Sequence, residues 1–208
     1  MLYFETIGSP TLELLKSLQA QPAFKELRLV GGTSLALQIG HRISIGINLF
    51  GKITGDEYEV SNQINAISSS TVLNKTKNIN IFLINDIKVD IVNYPYPWLS
   101  PPILTSNLKL ASITDIAAMK LSAITGRGTK KDFIDLFFLL KKFNLKEMFS
   151  FYKKKYPDGS EFLVLKSLTH FNDAEEDESP VMLIQQNWET IKEHITDAVK
   201  QYLTQSKQ

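Results

Sequence analysis

The first residues of this chain that could bind a ligand follow a short apolar run at 27–30. They read Gly31-Gly32-Thr33-Ser34, and a helical pattern continues from about Thr33 to Ile39. Glycines allow a ligand close to the backbone, and a helix N-terminus offers N–H groups and partial positive charge to an anion. The sequence predicts a phosphate-binding turn here. The alternative is an ordinary turn in which Thr33 caps the helix.

A strand with one polar face is predicted next. Its apolar and other residues alternate: Ile45, Ile47 and Leu49 against Gly46, Asn48 and Phe50. Because successive side chains on a strand point to opposite faces, Gly46 and Asn48 share the face opposite the aliphatic residues. A second strand is predicted at 87–93, and in it Asp90 lies between two aliphatic residues. The alternative for Asp90 is an exposed strand aspartate with no ligand.

Charged residues also stand out in the helical second half of the chain. A helix beginning near Ser112 carries an apolar stripe, and Lys120 falls in the middle of it. A lysine in that place must extend to solvent or face an anion. A helix beginning near Thr129 carries Lys131 and Asp132 in its first turn, where Asp132 would act as a capping residue. By spacing, Lys131 could also pair with Asp135, one turn further on.

Taken together, these segments resemble the AbiEii/AbiGii toxin family of nucleotidyltransferases, within the polymerase-β-like superfamily. Family members read G-G-[TS]-x-L-A-L and then G-H-R-x-S-x-D-[IL]-D-[LF]-F, and this chain reads GGTSLAL at 31–37 and GHRISIGINLF at 40–50. The two aspartates of the family fall on Gly46 and Asn48. Asp90 matches the third acidic residue, in the K-[VI]-D motif of the family.

The resemblance implies a metal-dependent reaction whose ligands are mostly missing here. In that fold, two carboxylates one residue apart hold Mg²⁺ ions, which bridge the phosphates of a nucleoside triphosphate and activate the attacking hydroxyl. Gly46 has no side chain, and Asn48 offers one neutral carbonyl oxygen in place of a carboxylate. Asp90 alone would bind a metal weakly. We therefore expect a transferase that is catalytically impaired while its strand and its anion site persist.

The resemblance also implies roles for several other residues. Lys120 matches a lysine in an A-x-K-L context that faces the nucleotide phosphates, and we expect it to act with Asp90. Lys131 and Asp132 match the R-x-x-K-D-x-x-D-L motif and are expected to line the cleft. The remaining residues expected to contact phosphate are Gly31, Gly32, Thr33, Ser34, Arg42 and Ser44.

The elements that must position these residues form an α+β arrangement. The front half mixes short strands with helices at 11–19 and 56–67, and Asn85-Asp86 is a predicted turn between strands at 78–85 and 87–93. The proline-rich segment at 94–102 marks a boundary. Predicted helices follow, with the later ones at 144–155, 159–168 and 187–203. We expect a small nucleotidyltransferase α/β domain at 1–98 and a helical domain at 99–208 that closes the cleft, as the family resemblance implies.

The composition restricts the cellular compartment of the protein but does not identify its ligand. The net charge is only +1, so any anion-binding surface must be local. The absence of cysteine excludes disulfides and thiolate chemistry. No stretch approaches the roughly 18 apolar residues of a membrane span, and the N-terminus does not resemble a signal peptide. We expect a cytoplasmic protein without a membrane partner.

Three functions are consistent with the sequence. The favoured one is a degenerate member of the family that binds a nucleotide or another anion without transferring it. The second is an active transferase that moves a nucleotide from a triphosphate to tRNA or protein, using Asp90 with Asp132 or Asp135. The third is a toxin-like interaction module held by a cognate antitoxin.

Overall fold

The computed structural model describes residues 1–205, except for the side chain of Glu57. It contains two compact units. The first combines Met1–Tyr96 with Pro101–Ser112, and the second combines Pro97–Ser100 with the helices from Ile113 onward. The sequence analysis divided the chain once, after residue 98, and the end of its second domain, 206–208, lies outside the described residues.

A seven-stranded mixed sheet forms the first unit. Its elements are α1 (Ser9–Gln19), β1 (Arg28–Leu29), α2 (Gly31–Ile39), β2 (Ile47–Gly51), α3 (Glu57–Asn65), β3 (Ser70–Lys75), β4 (Ile79–Ile84), β5 (Ile87–Asn93), β6 (Ile103–Thr105) and β7 (Leu108–Leu110). The strand order is β3-β4-β5-β2-β1-β7-β6. β2 is parallel to β5 and antiparallel to β1, so the two strands expected to carry the site are direct neighbours.

The core of this unit explains why the strands hold their register. The inward side chains of β2 and β5 are fully buried: Ile47, Leu49, Val89 and Ile91. Leu15 and Leu18, on the apolar face of α1, belong to the same core. A slip of one residue in either strand would bring polar side chains into this core, so the alternation itself specifies which residues face outward.

Turn chemistry accounts for the predicted hairpin and for one that was not predicted. Asn85 and Asp86 connect β4 to β5 with φ values of 50° and 62°, a left-handed conformation that Asn and Asp tolerate, and this prediction is confirmed. Ser106 and Asn107 turn in the same way between β6 and β7, with φ values of 53° and 61°. β7 runs parallel to β1, which places residues 103–110 in the sheet of the first unit.

The structure corrects two local predictions in the first unit. α2 begins at Gly31 with Val30 as its N-cap, two residues before the predicted start, so the alternative in which Thr33 caps the helix is wrong. β2 begins at Ile47, and the Ile45 side chain is 77% exposed, so the alternating pattern does not extend back to residue 45. Residues 40–46 form a loop before β2. A backbone hydrogen bond joins this loop to the N-terminal segment: the Ser44 N–H donates to the Thr6 carbonyl oxygen over 2.9 Å.

Helices make up the second unit. They are α4 (Ile113–Gly126), α5 (Lys130–Leu140), α6 (Leu145–Lys155), α7 (Glu161–Leu168), α8 (Asn172–Glu175) and α9 (Trp188–Gln205). The predicted helices at 144–155, 159–168 and 187–203 are confirmed. Among the described residues, no helix is both long enough and apolar enough to cross a membrane.

A buried ion pair attaches residues 97–100 to this helical unit. Lys155 and Asp115 have fully buried side chains, and their Nζ and Oδ1 atoms are 2.8 Å apart. Lys155 also donates to the Pro97 carbonyl over 2.8 Å, and Asp115 accepts the Leu99 N–H over 2.9 Å. Asp115 lies three residues after Ser112, the spacing of a capping box. Instead, its carboxylate binds the backbone of the preceding segment and a lysine 40 positions away.

Candidate functional site

Asn48 and Asp90 are side by side on the outward face of the first unit. β2 and β5 pair in parallel register, with the Cα atoms of Asn48 and Asp90 as partners. Gly46 precedes the first residue of β2, and a Cβ atom added to it would lie 3.7 Å from the Lys88 carbonyl oxygen, an ordinary contact distance. The structure therefore places Asn48 beside Asp90, as the strand period predicted, whereas Gly46 lies in the loop before β2, next to the Lys88 backbone.

The first residue of α2 lies directly against Asn48. Gly31 has a φ of +70°, and a Cβ atom built on it would come within 3.0 Å of Asn48 Nδ2. Both the backbone conformation and the close approach favour glycine at this position. The N-terminus of α2, with Gly31 and Gly32 in its first turn, thus adjoins the Asn48 side chain.

The hydroxyl groups predicted to contact phosphate instead support the loop before β2. Thr33 Oγ1 donates to the Gly46 carbonyl oxygen and lies 2.8 Å from Ser44 Oγ. Because the Thr33 proton is directed to Gly46, Ser44 is the donor to Thr33. Both side chains are buried. Ser34 Oγ accepts a hydrogen bond from Gln38 over 3.1 Å.

Arg42 also lies in the interior of the first unit. Its residue is only 4% exposed, and Nη1 donates to the Ile43 carbonyl over 3.0 Å. His41, its neighbour in the sequence, is fully buried. We expected the Arg42 guanidinium to bind phosphate, and the structure shows it as part of a buried side chain that donates to the Ile43 carbonyl oxygen.

Asp90 forms an ion pair with Lys88, which lies two residues earlier on the same strand face. Lys88 Nζ is 3.2 Å from Asp90 Oδ1 and 3.3 Å from Oδ2. The Asp90 side chain is 21% exposed and that of Lys88 is 57% exposed. Lys88 was not among the predicted site residues, although its spacing of two residues from Asp90 on a strand was the signal that could have revealed it.

In the second unit, Lys120 is enclosed by two aspartates. Its side chain is 4% exposed, Nζ lies 2.9 Å from Asp132 Oδ1, and it forms a second ion pair with Asp135. Lys120 and Asp132 were both predicted site residues, and the structure brings them into contact. The charge of Lys120 is balanced within its own unit. Asp135, which by spacing could have paired with Lys131, pairs with Lys120 instead.

Asp132 is the centre of this cluster and not a helix cap. Its carboxylate accepts two hydrogen bonds from the Arg127 guanidinium, at 2.8 and 3.0 Å, and one from the Thr129 hydroxyl at 2.6 Å. Burial raises the pKa of the Asp132 carboxyl, but Lys120, Arg127 and Thr129 together hold this pKa well below its usual range. Asp132 is therefore ionised, and its carboxylate is bound by these neighbouring side chains. Lys131, the adjacent predicted residue, is exposed.

Comparison with known proteins now identifies the family. The family described as nucleotidyl transferase AbiEii toxin, Type IV TA system, matches residues 13–205. The chain belongs to the AbiEii family. An uncharacterised protein of Aquifex aeolicus is 36% identical to this AbiEii-family chain over 197 residues, which cover 92% of the chain and 95% of that protein.

Solved structures with low sequence identity share the fold of this AbiEii-family protein. MenT4, a nucleotidyltransferase toxin of Mycobacterium tuberculosis, superposes with a TM-score of 0.63 at 14% identity, over 90% of this chain and 80% of MenT4. JHP933 of Helicobacter pylori superposes with a TM-score of 0.55 at 20% identity, over 96% of both chains. The α+β class and the nucleotidyltransferase fold expected from the sequence are confirmed.

The residues of this AbiEii-family protein do not fit the Mg²⁺ ions that nucleotidyltransferases typically use. At the three expected positions there is no side chain on Gly46, a neutral amide on Asn48, and on Asp90 a carboxylate already paired with an ammonium group. Mg²⁺ prefers several oxygen ligands in octahedral geometry and binds best through carboxylates. Within residues 1–205, no group of three or more His, Cys, Asp or Glu side chains is arranged to hold a metal.

Proposed function

We propose that this AbiEii-family protein binds the phosphates of a nucleoside triphosphate and has lost metal-dependent nucleotidyl transfer. The proposal rests chiefly on one observation: the strand face of β2 and β5 is intact, while Gly46 and Asn48 replace its two metal-binding carboxylates. Loss of Lewis-acid stabilisation amounting to several kcal/mol slows a reaction by about a thousandfold or more.

The competing hypothesis of an active transferase receives little support from the second unit. It requires Asp132 or Asp135 to join Asp90 as a metal ligand. Both side chains are fully buried, and both are ion-paired with Lys120. Withdrawing either carboxylate from this cluster would leave a buried ammonium group less compensated, at a cost of several kcal/mol.

Calorimetric titration with ATP, GTP, CTP and UTP, each with Mg²⁺ and with EDTA, tests the binding half of the proposal. We expect at least one triphosphate to bind. If none binds in either condition, the protein is not a nucleotide-binding member of the family.

Incorporation of label from α-³²P triphosphates into total tRNA and total protein tests the catalytic half. We expect none above background with the protein as it stands. Efficient incorporation that disappears in Asp90→Asn would establish the active-transferase hypothesis instead.

We further propose an antitoxin protein as the binding partner, because the family is defined as one half of a toxin–antitoxin system. Co-expression with the product of the adjacent gene, followed by affinity purification and size-exclusion chromatography, tests for a stable complex. A product that elutes separately from this protein argues against that partner.

A further inference from the structure

The outward face of β2 and β5 carries no net charge. Gly46 and Asn48 are neutral, and Asp90 is balanced by Lys88. The family pattern would place three carboxylates here, which suits a divalent cation and repels a bare phosphate. Substitution of two of them therefore changes which ion the face can attract.

Among the described residues, Lys88 is the only cationic side chain that forms an ion pair with Asp90. It lies at the boundary between the protein and solvent. Its ammonium group lies within 3.3 Å of both Asp90 oxygens. An ammonium group has three donor hydrogens. The hydrogen bond to Asp90 Oδ2 uses one of them, and the 57% exposure of the side chain leaves room for an acceptor on the solvent side.

The neighbours of Lys88 complete a set of hydrogen-bond donors. Asn48 is the lateral partner of Asp90 and carries an amide NH₂ group. At Gly46, beside the Lys88 backbone, an added Cβ would meet only the Lys88 carbonyl, at 3.7 Å. The absence of a side chain there leaves space where the family pattern has a carboxylate. Among residues 46, 48, 88 and 90, Asp90 is the one negatively charged side chain, and Lys88 neutralises it.

We propose that Lys88 is the resident cation of this face, and that it neutralises Asp90 and hydrogen-bonds a phosphate group directly, without a divalent ion. This inference rests on the proposed function, since it assigns the residue that binds the nucleotide. Lys88 acts as a binding residue only, and no bond is made or broken.

The direct test compares Lys88→Met, Lys88→Arg and the matched control Lys52→Met, in which the substituted lysine is exposed and follows β2. The probe is whichever of ATP, GTP, CTP or UTP binds the wild-type protein, and titrations are done in EDTA and in Mg²⁺. We expect wild-type affinity to be the same within twofold in both conditions. The Lys88→Met variant loses one charge-assisted hydrogen bond and should bind the triphosphate about 10- to 100-fold more weakly than wild type. The Lys88→Arg and Lys52→Met variants should bind it like wild type.

Two results would overturn the inference and leave the proposed function standing. One is wild-type binding that requires Mg²⁺, and the other is Lys88→Met binding within twofold of wild type. If the wild-type protein binds no triphosphate at all, the proposed function fails as well. Circular dichroism spectra of each variant serve as the control for folding, and we expect these exposed substitutions to leave the fold unchanged.

A metal titration tests the neutralisation of Asp90 without any nucleotide. Since an ammonium group and a divalent cation compete for the same carboxylate, Mn²⁺ followed by electron paramagnetic resonance should bind Lys88→Met severalfold more tightly than wild type. Equal Mn²⁺ binding by the two proteins would refute the competition.

Discussion

Restoring the two missing carboxylates should create a metal site in the existing fold. The variant is Gly46→Asp with Asn48→Asp. A Cβ atom at residue 46 would lie 3.7 Å from its nearest neighbour, the Lys88 carbonyl oxygen, so a side chain can begin at this position without a close contact. Asn48→Asp preserves side-chain shape, and the pairing of residue 48 with Asp90 sets this new carboxylate beside the existing one.

The expected gain in metal affinity follows from the added charge. The face changes from neutral to a net charge of about −2. A carboxylate about 4 Å from a divalent cation contributes about 2 kcal/mol even in a water-like dielectric. Two such groups contribute about 4 kcal/mol, so the Mn²⁺ dissociation constant should fall about a thousandfold relative to wild type.

Electron paramagnetic resonance of bound Mn²⁺ measures this affinity, and thermal unfolding provides a second readout. At a free Mn²⁺ concentration of 100 times the dissociation constant, binding stabilises the folded state by about 2.7 kcal/mol. The double variant should therefore unfold at a higher temperature in Mn²⁺ than in EDTA, whereas wild type should not. Ile45→Asp is the matched control, because residue 45 is 77% exposed and lies outside the strand face.

One result would refute the assignment of this face. If the double variant folds normally and binds Mn²⁺ no more tightly than wild type or Ile45→Asp, residues 46, 48 and 90 do not form the metal position of the family.

Further predictions concern the residues that support each unit. Gly31→Ala should destabilise the first unit by about 1–2 kcal/mol in urea denaturation, because φ is +70° and the new Cβ would meet Asn48 Nδ2 at 3.0 Å; an unchanged midpoint would contradict this. Lys155→Met leaves the buried Asp115 carboxylate without its ammonium partner and should cost about 3–5 kcal/mol, whereas the exposed Lys154→Met should cost almost nothing. Because the pKa of Asp132 is lower in the folded protein than in the unfolded chain, its ionised carboxylate stabilises the fold. This stabilisation is complete above about pH 4, the pKa range of an unfolded aspartate, and is lost as the pH falls towards the folded-state pKa. Asp132→Asn should therefore be about 3 kcal/mol less stable at pH 7 and should lose less further stability on acidification than wild type; parallel pH profiles for the two proteins would contradict the assignment.

Local sequence signals predicted much of the fold. Asn85-Asp86 was recognisable because both residues tolerate positive φ between two β-rich runs. The late helices were recognisable because their apolar residues repeat with the helical period. The β6–β7 hairpin was not predicted because each strand has only three residues, which is too few to show a period of two.

The errors arose where a distant contact decides the local structure. Thr33 has the chemistry of a helix cap, yet its hydroxyl binds the carbonyl of Gly46, 13 residues away. Asp115 also resembles a cap, but it pairs with Lys155, 40 residues away. Such partners are set by packing between elements, and one sequence does not reveal them.

The site was predicted in part for the same reason. The strand period placed Asn48 and Asp90 on one face, because alternation is local and the register follows from the buried residues, whereas Gly46 lies in the loop before β2. The position of Lys120 on an apolar stripe was predicted too. Its enclosure by Asp132 and Asp135 required knowledge of how α4 and α5 pack.

The central claim is that the substitutions at residues 46 and 48 removed metal-dependent transfer while the fold remained. The most direct measurement compares label incorporation from α-³²P triphosphates into tRNA and protein by wild type and by Gly46→Asp with Asn48→Asp, in Mg²⁺ and in EDTA. We expect no incorporation by wild type in either condition and Mg²⁺-dependent incorporation by the double variant. Robust incorporation by wild type, or none by a double variant that binds metal, would contradict it.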